Sequence, residues 1–531
     1  MSSLFDLAGT FAPELVLLAG ALLVFLLDVL KLRRLELVGS VSVGASLLAL
    51  ALVVADLGFA PFASLRTLSA AQVNPSLSAL ATPLWTFTSL GLVFQGMFLL
   101  ATLLVSVASL SRGSKETGGP IFFGLLLLAT LGMLLVAISS DLIFLLLAIE
   151  LSSIATYVLV GYTRRGLRPL EAAMKFYIIG AVSSALSFFG ASLLFGAYGT
   201  TNLLAIREVA GTVGTPILAL LGYAFLLSGL AFKATLVPFH AWAVDVYDGA
   251  PSDVSAFLAG GTKKVGIFAV LLVFLGPILF AGAGGSSNPF QGGPFTLGPI
   301  LQVTLGTLAV VTMTVGNVLA LLQKEMKRLL AYSSISQAGY MLLGVTIGTA
   351  PAIAGATFQV LAHVLMKGGA FLVVAGVAGL GIGPLVDDWR GLGSRRPLLS
   401  VAFALLLLSL AGVPLTIGFV SKFVLFSAAV QAQGFFVWLA VAGLLNSALS
   451  VFYYARVLKV IYFEAPPAPL PTGGAVVGGA GPEPLRAGGL GIGRAVAIGV
   501  ATALVVALGV DPQPLLGPIQ AAASHFVFFW R

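Results

Sequence analysis

Six lysines lie inside stretches of this sequence that are otherwise apolar, and they are the residues with the clearest potential for chemistry. They are Lys175, Lys233, Lys263, Lys264, Lys367 and Lys422. A charged side chain near the centre of a bilayer costs roughly 2.5–3.5 kcal/mol even on insertion scales, and its usual function is to carry ions or protons. If these stretches span a membrane, the sequence indicates proton transfer through them.

Two of these lysines lie close to a proline. Pro238 follows Lys233 in LAFKATLVPF, and Pro414 precedes Lys422 in VPLTIGFVSKF. Proline removes a backbone donor and frees the carbonyl four residues earlier, which is that of Ala234 for Pro238 and that of Leu410 for Pro414. Free backbone groups at membrane depth are tolerated only where they face protein or a water-filled cavity. We therefore expect a broken helix beside each of these two lysines.

Glu150 and His363 add groups that can exchange a proton with lysine. Glu150 lies in the middle of the apolar run DLIFLLLAIELSSIATYV, while His363 shares a helix face with Lys367 through i,i+4 spacing. A carboxylate next to a buried lysine can make the proton occupancy of the pair switchable. Glu150, Lys175, Lys233, Lys263, His363 and Lys422 are the predicted proton-pathway residues, with Pro238 and Pro414 as helix breaks.

Structural interpretations of several of these residues stay open. Lys175, Lys264 and Lys367 could anchor helices at the membrane interface, since long lysine side chains reach for water. Glu150 could be a structural partner for a lysine. His240 could cap a helix as well as take up protons, His525 could be interfacial, and three acids could shape a turn or meet a neighbouring subunit: Asp245, Asp248 and Asp253.

Composition defines the elements that must position these side chains. Of 531 residues, 59% are hydrophobic and only 9% are charged, whereas soluble domains are near 25% charged. Apolar runs of about 20 residues, each long enough to cross a bilayer as a helix, recur throughout. The absence of cysteine excludes disulfides and thiolate-held metals. The fold class is therefore an all-α polytopic membrane protein.

The apolar runs predict about fourteen transmembrane helices. They are placed at 11–30, 36–55, 84–108, 120–138, 141–161, 170–197, 215–237, 253–275, 299–322, 328–348, 353–381, 398–429, 434–462 and 490–510. Most bases then fall on one side, and the opposite side holds only Arg66, Arg207 and Arg531. The positive-inside rule places both termini outside. The net charge of +8 thus reflects topology and gives no indication of nucleic-acid binding.

Four regions follow from this layout. Residues 1–110 hold helices 1–3, residues 120–275 and 299–463 each hold five helices, and residues 464–531 hold a loop and helix 14. In each five-helix block the fourth helix carries a lysine and a proline. Because five is odd, the two blocks would be inverted repeats, as in transport folds. The segment from Pro238 to Asp253 is expected to be a cytoplasmic turn.

Three segments resemble one known family. LAFKATLVPFHAWAVDVYDGAPSDVSAFLAGGTKKVGIF, EAAMKFYIIGAVSSALSFFGASLLFGAYGTT and KRLLAYSSISQAGYMLLG are similar to the antiporter-like membrane subunits of respiratory complex I, the proton-translocating NADH:quinone oxidoreductase, and in particular to its bacterial subunit N. The resemblance covers about residues 80–460. The doubled lysine at 263–264 departs from the single lysine of many relatives, and the spacing from Pro251 favours Lys263.

The resemblance implies a role for each matching position. Glu150 and Lys233 would form a pair at the half-channel facing the cytoplasm, and Lys263 would be the central relay. Lys422 would pass the proton outward. Lys175 and His363 would be accessory points on the polar axis.

The resemblance also implies which cofactors, partner subunits and membrane belong to the protein. This subunit would hold no cofactor, while FMN, iron–sulfur clusters and quinone would be bound by partner subunits. Its partners would be the antiporter-like subunit M and the small subunits K and J, in the bacterial inner membrane. Two alternatives stay open: a subunit of a multi-subunit cation/proton antiporter, and a structural membrane scaffold whose lysines merely pair with acids.

Overall fold

The chain forms a helical bundle in the computed structural model, which describes residues 9, 11–32, 34–58, 84–110, 120–163, 167–213, 215–280, 297–466 and 490–530. Over these residues, β-structure is limited to isolated bridges such as Trp85–Ser139. Eleven of the described helices are long and apolar enough to cross a membrane. The predicted class, an all-α polytopic membrane protein, is confirmed.

The helices before residue 281 surround the first group of candidate residues. They are α1 (Ala12–Val29), α2 (Leu35–Asp56), α3 (Ser89–Ser109), α4 (Ile121–Ala137), α5 (Leu142–Val160), α6 (Leu167–Tyr198), α7 (Leu203–Val213), α8 (Ile217–Ala234), α9 (Ala241–Gly249) and α10. Helix α10 runs over Ser252–Phe257, passes through a π-helical segment at Leu258–Thr262 and continues over Lys263–Phe280.

The helices after residue 296 hold the remaining candidates. They are α11 (Leu297–Leu321), α12 (Met326–Ile347), α13 (Ala350–Gly379), α14 (Pro397–Ala411), α15 (Ile417–Gln431), α16 (Phe435–Phe463), α17 (Ile492–Val510) and α18 (Gln513–Trp530). Helix α13 is buried along almost its whole length, so it forms the centre of this part of the bundle.

Each predicted span corresponds to one of these helices, except that 398–429 is divided between α14 and α15. The number of membrane crossings, the inverted repeats and the four-region division stay predictions. Helices α7, α9 and α18 have no counterpart in the prediction. The first two have 11 and 9 residues, which is too short for the apolar runs that identify spans.

Helix α9 corrects the expectation of a turn from Pro238 to Asp253. Its Trp242, Val246 and Tyr247 are buried, and the Trp242 ring stacks on Phe176 with centroids 4.5 Å apart. The indole N–H also donates to the Phe232 carbonyl over 3.2 Å. The segment is thus a short helix held against α6 and α8 by its aromatic face.

The first two helices of each predicted repeat pack in the same way. A Cβ added to Gly132 of α4 would come 2.5 Å from the backbone nitrogen of Ser152 in α5, and one added to Gly316 of α11 would come 2.5 Å from that of Ser336 in α12. Small residues allow such close contact between membrane helices. The spacing from Gly132 to Gly316 equals that from Ser152 to Ser336, so both pairs share one register.

Two helical paths are interrupted next to a candidate lysine. Helix α8 ends at Ala234 and the chain turns through Thr235, whose φ is +58°. Helix α14 ends at Ala411 and turns through Gly412, whose φ of +93° lies in the region that favours glycine. Pro238 and Pro414 lie in these interruptions, before α9 and α15 begin.

Candidate functional site

Glu150 and Lys233 line one cavity between α5, α6 and α8. The centres of water-sized spheres can occupy about 20 Å³ of it, which is room for at least one water molecule. Lys233 Nζ donates to Ser153 Oγ over 2.6 Å, and Ser184 Oγ donates to the Glu150 carboxylate. The described contacts therefore join the pair through two serines and the cavity, not through a direct ion pair.

Close packing of α6 and α8 shapes the wall of this cavity. Ser183 Oγ donates to the Gly229 carbonyl over 2.8 Å. A Cβ on Gly229 would come 1.9 Å from Ser187 Oγ, and one on Gly190 would come 2.7 Å from the Gly222 carbonyl oxygen. Small residues on both helices thus bring Lys233 of α8 to the polar face of α5.

The doubled lysines of α10 point to different partners. Lys263 Nζ donates to the Ser334 carbonyl over 2.6 Å and lies 3.3 Å from Ser334 Oγ. Lys264 Nζ donates to the Ala259 carbonyl within its own helix. His363 Nε2 lies 3.4 Å from Ser334 Oγ on the other side. Lys263 therefore reaches across to α12, whereas the described hydrogen bond of Lys264 stays within its own helix. Which of the two lies on the proton path stays a prediction.

Lys367 belongs to the same buried centre. It is 0% exposed, and its Nζ donates to Ser333 Oγ, which lies 2.7 Å from the Tyr454 hydroxyl. The ammonium also lies 6.0 Å from the Tyr454 ring centroid. This burial rules out the interfacial anchor that the sequence left open for Lys367.

Lys422 binds the second interruption directly. Its Nζ donates to the carbonyls of Leu410 and Ala411 over 2.9 and 3.1 Å and to Ser447 Oγ over 2.9 Å. It also lies 5.1 Å from the Tyr340 ring centroid. Leu410 is the residue whose carbonyl Pro414 was expected to free, and the lysine is its nearer described donor.

Amide and hydroxyl side chains connect the centre to this interruption. Gln359 Nε2 donates to Gln337 Oε1 over 2.7 Å, and Ser421 Oγ donates to Gln359 Oε1 over 2.5 Å. Gln337 Nε2 in turn lies 3.4 Å from the Leu410 carbonyl oxygen. Since Gln337 is one helical turn from Ser334, α12 carries the polar contacts of both lysine groups.

Lys175 lies outside this buried set. Its side chain is 42% exposed and pairs with Glu171 at 2.7 Å and Asp245 at 2.9 Å, while Arg328 reaches Asp245 at 3.1 Å. Partial burial acts to raise the pKa of the Asp245 carboxyl, but the hydrogen bonds and charges of Lys175 and Arg328 outweigh it, and the pKa falls below its usual 3.8. The geometry matches an interfacial ion network more closely than a point on a buried axis.

The remaining titratable candidates are scattered. His240 precedes α9 without a side-chain capping bond, and His525 is exposed on α18. The backbone carbonyl of Asp248 accepts from Lys327 over 3.2 Å. Asp253 is fully buried and lies 3.4 Å from Arg494. Among the described side chains, no hydrogen bond joins His240, His525 or Asp248 to Lys233, Lys263 or Lys422.

Neutral polar residues are the part of the site that sequence reasoning missed. They include Ser153, Ser184, Ser333, Ser334, Gln337, Gln359, Ser421 and Ser447. A signal was present in α12, whose SSISQ motif places three serines and a glutamine inside a buried helix. Buried polar groups need partners, so such a motif indicates facing polar side chains.

Buried lysines that bond to interrupted helices in an apolar bundle define a helical membrane transport protein. Residues 139–450 match the family described as NADH:quinone oxidoreductase/Mrp antiporter, TM. The chain belongs to this family of antiporter-like membrane subunits, and the predicted resemblance is confirmed.

The chain is similar over nearly its full length to the F(420)H(2) dehydrogenase subunit N of Methanosarcina mazei, with 39% identity covering 98% of this chain and 99% of the relative. It is 32% identical to the NADH-quinone oxidoreductase subunit N of an Anaeromyxobacter species, covering 97% and 96%. A chain of respiratory complex I from Thermus thermophilus superposes with TM-score 0.72 at 31% identity, covering 95% and 98%. A chain of the Mrp complex from a Dietzia species shares the fold, with TM-score 0.79 at 22% identity, covering 98% and 97%.

Proposed function

We propose that this chain is a proton-translocating, non-redox subunit of a membrane NADH:quinone oxidoreductase, in which electron transfer to quinone drives protons through the helices. The observation that carries the proposal is the row of buried lysines Lys233, Lys263, Lys367 and Lys422, which lie next to interrupted helices and hydrogen-bonded polar groups. Relatives named as subunit N of such oxidoreductases support it.

The first step of the path is an exchange between Glu150 and Lys233. Ser184 and Ser153 orient the two side chains, and the cavity between them has room for the water that a proton needs. Glu150 is the carboxylate that can neutralise the lysine. We therefore assign proton loading from the cytoplasmic side to this pair.

The second step leads to the centre. A Cβ on Gly266 of α10 would come 2.3 Å from the Ala234 nitrogen, so the backbones of α8 and α10 touch between Lys233 and Lys263. No hydrogen bond joins these two lysines among the described side chains, and transfer there requires water or a shift of α10 along α8. Lys263 then shares Ser334 with His363.

The last step leads outward through Lys422. The contacts of Gln337, Gln359 and Ser421 extend from the centre to the second interruption. Lys422 holds the carbonyls there, so gain or loss of its proton changes the bonding of the helix ends. This coupling is the means by which the broken helix would respond to protonation.

The redox chemistry is assigned to other subunits. FMN, iron–sulfur clusters and quinone would be bound by partner subunits. The neighbouring membrane subunits would be the antiporter-like subunit M and the small subunits K and J. The location would be the bacterial inner membrane, with both termini on the outer side. One relative is named for F(420)H(2) and others for NADH, so this membrane subunit suits more than one electron donor, and we assign NADH.

A multi-subunit cation/proton antiporter is the second candidate, and the fold shared with the Mrp chain favours it. The test is to purify the complex through a tag on this chain, measure its flavin and iron, and supply NADH or F(420)H(2) with quinone in vesicles. We expect flavin, iron–sulfur clusters and proton transport driven by NADH. A complex without redox groups that exchanges sodium for protons would contradict the proposal, and transport driven by F(420)H(2) alone would overturn the assigned donor.

A further inference from the structure

Helix α17 carries an arginine that reaches into the bundle. Arg494 Nη2 lies 3.4 Å from Oδ2 of Asp253, which lies in the first turn of α10. The exposed fraction is 11% for the arginine side chain and 0% for the aspartate. Removal of one partner of a buried ion pair is strongly destabilising, more so than replacement of both. The two residues, 241 positions apart, are therefore expected to act together.

Helix α13 provides the groove through which the arginine passes. A Cβ on Gly376 would come 2.4 Å from Leu490 Cδ1 and 3.5 Å from Arg494 Cδ, and a Cβ on Gly379 would come 3.6 Å from Arg494 Nη1. The arginine stem thus lies along a face of α13 that glycines keep open. The position of Arg494 is fixed by this groove as well as by the carboxylate.

One member of the pair, Asp253, lies on the helix that carries the central lysine. Asp253 occupies the N-terminus of α10, where the helix dipole favours a carboxylate, and Lys263 follows on the same helix after the π-helical segment. At the other end of α17, a Cβ on Gly509 would come 2.3 Å from Thr416 Cα in the second interruption. Helix α17 therefore contacts both lysine-bearing elements.

We propose that Arg494 and Asp253 form a positioning contact through which α17 fixes α10, and so keeps Lys263 within hydrogen-bond distance of Ser334. Hydrogen bonds weaken steeply with distance and angle, so a small slide or rotation of α10 breaks the 2.6 Å contact between Lys263 and the Ser334 carbonyl. The inference rests on the proposed function, because it takes Lys263 to be a proton relay.

The test compares variants in the intact complex by the ratio of protons translocated to electrons transferred. Arg494→Ala is expected to lower this ratio about threefold or more, and Arg494→Lys is expected to restore most of it. The control is Arg390→Ala, which removes an exposed pair with Glu464 at 2.8 Å and leaves the ratio unchanged. A purely structural role would reduce the amount of complex without changing the ratio.

A second variant covers the case in which Arg494→Ala does not assemble. The double variant Arg494→Met with Asp253→Asn removes both charges of the pair at once, so it is expected to assemble and still show the lowered ratio. An assembled double variant with the wild-type ratio would overturn the inference. Lys233→Ala is measured alongside. If it abolishes transport while the Arg494 variants behave as wild type, only the positioning role of Arg494 is contradicted. If Lys233→Ala transports protons normally, the proposed function itself is contradicted.

Discussion

Glu150 in the first half of the bundle and Ser334 in the second occupy matching positions, since the spacing that relates Gly132 to Gly316 also relates these two residues. Their chemistry differs. Glu150 is half-buried beside a cavity that can hold water, while Ser334 is fully buried and accepts from Lys263. At these matching positions, the first half thus has a carboxylate that can change its charge, whereas the second half has a neutral serine.

The two lysines beside the interruptions, Lys233 and Lys422, also differ in their hydrogen-bond partners. Lys233 has one described hydrogen bond, to Ser153, whereas Lys422 has three acceptors, two of them backbone carbonyls. Within residues 297–463 the acids are Glu325, Asp387 and Asp388, which lie outside the helical interiors. The difference suggests that proton loading takes place in the first half and that the second half acts as a hydrogen-bonded relay.

The largest effect is expected when the carboxylate is removed. Glu150→Gln keeps the shape and the hydrogen bond to Ser184 but cannot carry a charge, so proton transport should fall by about tenfold or more. The measurement is NADH-driven proton transport in vesicles, normalised to assembled complex. Ser334→Ala is the matched control, because the Ser334 carbonyl still accepts from Lys263, and it should lose far less. Equal losses in both variants would break the comparison.

An intermediate effect is expected at Lys422. Lys422→Met fills the same space but removes the charged donor of the Leu410 and Ala411 carbonyls, which keep only a 3.4 Å contact from Gln337 and a 3.1 Å bond from Ser447. A hydrogen bond from a charged group is worth about 1.5–3 kcal/mol. The complex should therefore become less heat-stable as well as transport more slowly. Thermal inactivation measures the first loss, and Lys233→Met serves as the control, since its single described acceptor is a serine hydroxyl. Greater heat sensitivity in Lys233→Met than in Lys422→Met would contradict the distinction.

The smallest effect is expected in the exposed ion network of Lys175, Asp245 and Arg328. Because the pKa of Asp245 is lowered in the folded protein, its contribution to stability is complete above its ordinary pKa and is lost as pH falls through the lowered value. Asp245→Asn should thus lower the melting temperature by about 1 °C near neutral pH and make no difference in strong acid. Melting curves from pH 7 down to a pH below the lowered pKa of Asp245 test this. A difference that grows in acid would contradict the sign.

The class of fold and the placement of the lysine-bearing spans could be predicted from the sequence, because long apolar runs have one stable solution in a bilayer. The sequence around Pro414 and Lys422 predicted the second interruption, because the proline frees the carbonyl of Leu410. In the structure, Lys422 donates a hydrogen bond to this carbonyl. Helix α9 could not be predicted in this way, since its burial depends on aromatic contacts of Trp242 with Phe176, which lies far away in the sequence, and with Phe232 of the preceding helix.

The inward-facing side of each helix could not be predicted either. In a membrane, the lipid-facing side is as apolar as the core, so the sequence does not distinguish the buried Lys367 from the half-exposed Lys175. Serine and threonine are ambiguous as well, because their hydroxyls can bond within their own helix. Ser153 does so with Ile149 over 2.7 Å and yet also accepts from Lys233.

Lys233→Ala tests the central claim most directly. The variant should leave the complex assembled, with its redox groups in place, but impair proton transport and quinone reduction together, since the two are coupled. Lys175→Ala is the control, because Lys175 lies in the exposed network, and it should transport protons at nearly the wild-type rate. Intact proton transport in a well-assembled Lys233→Ala complex would contradict the account.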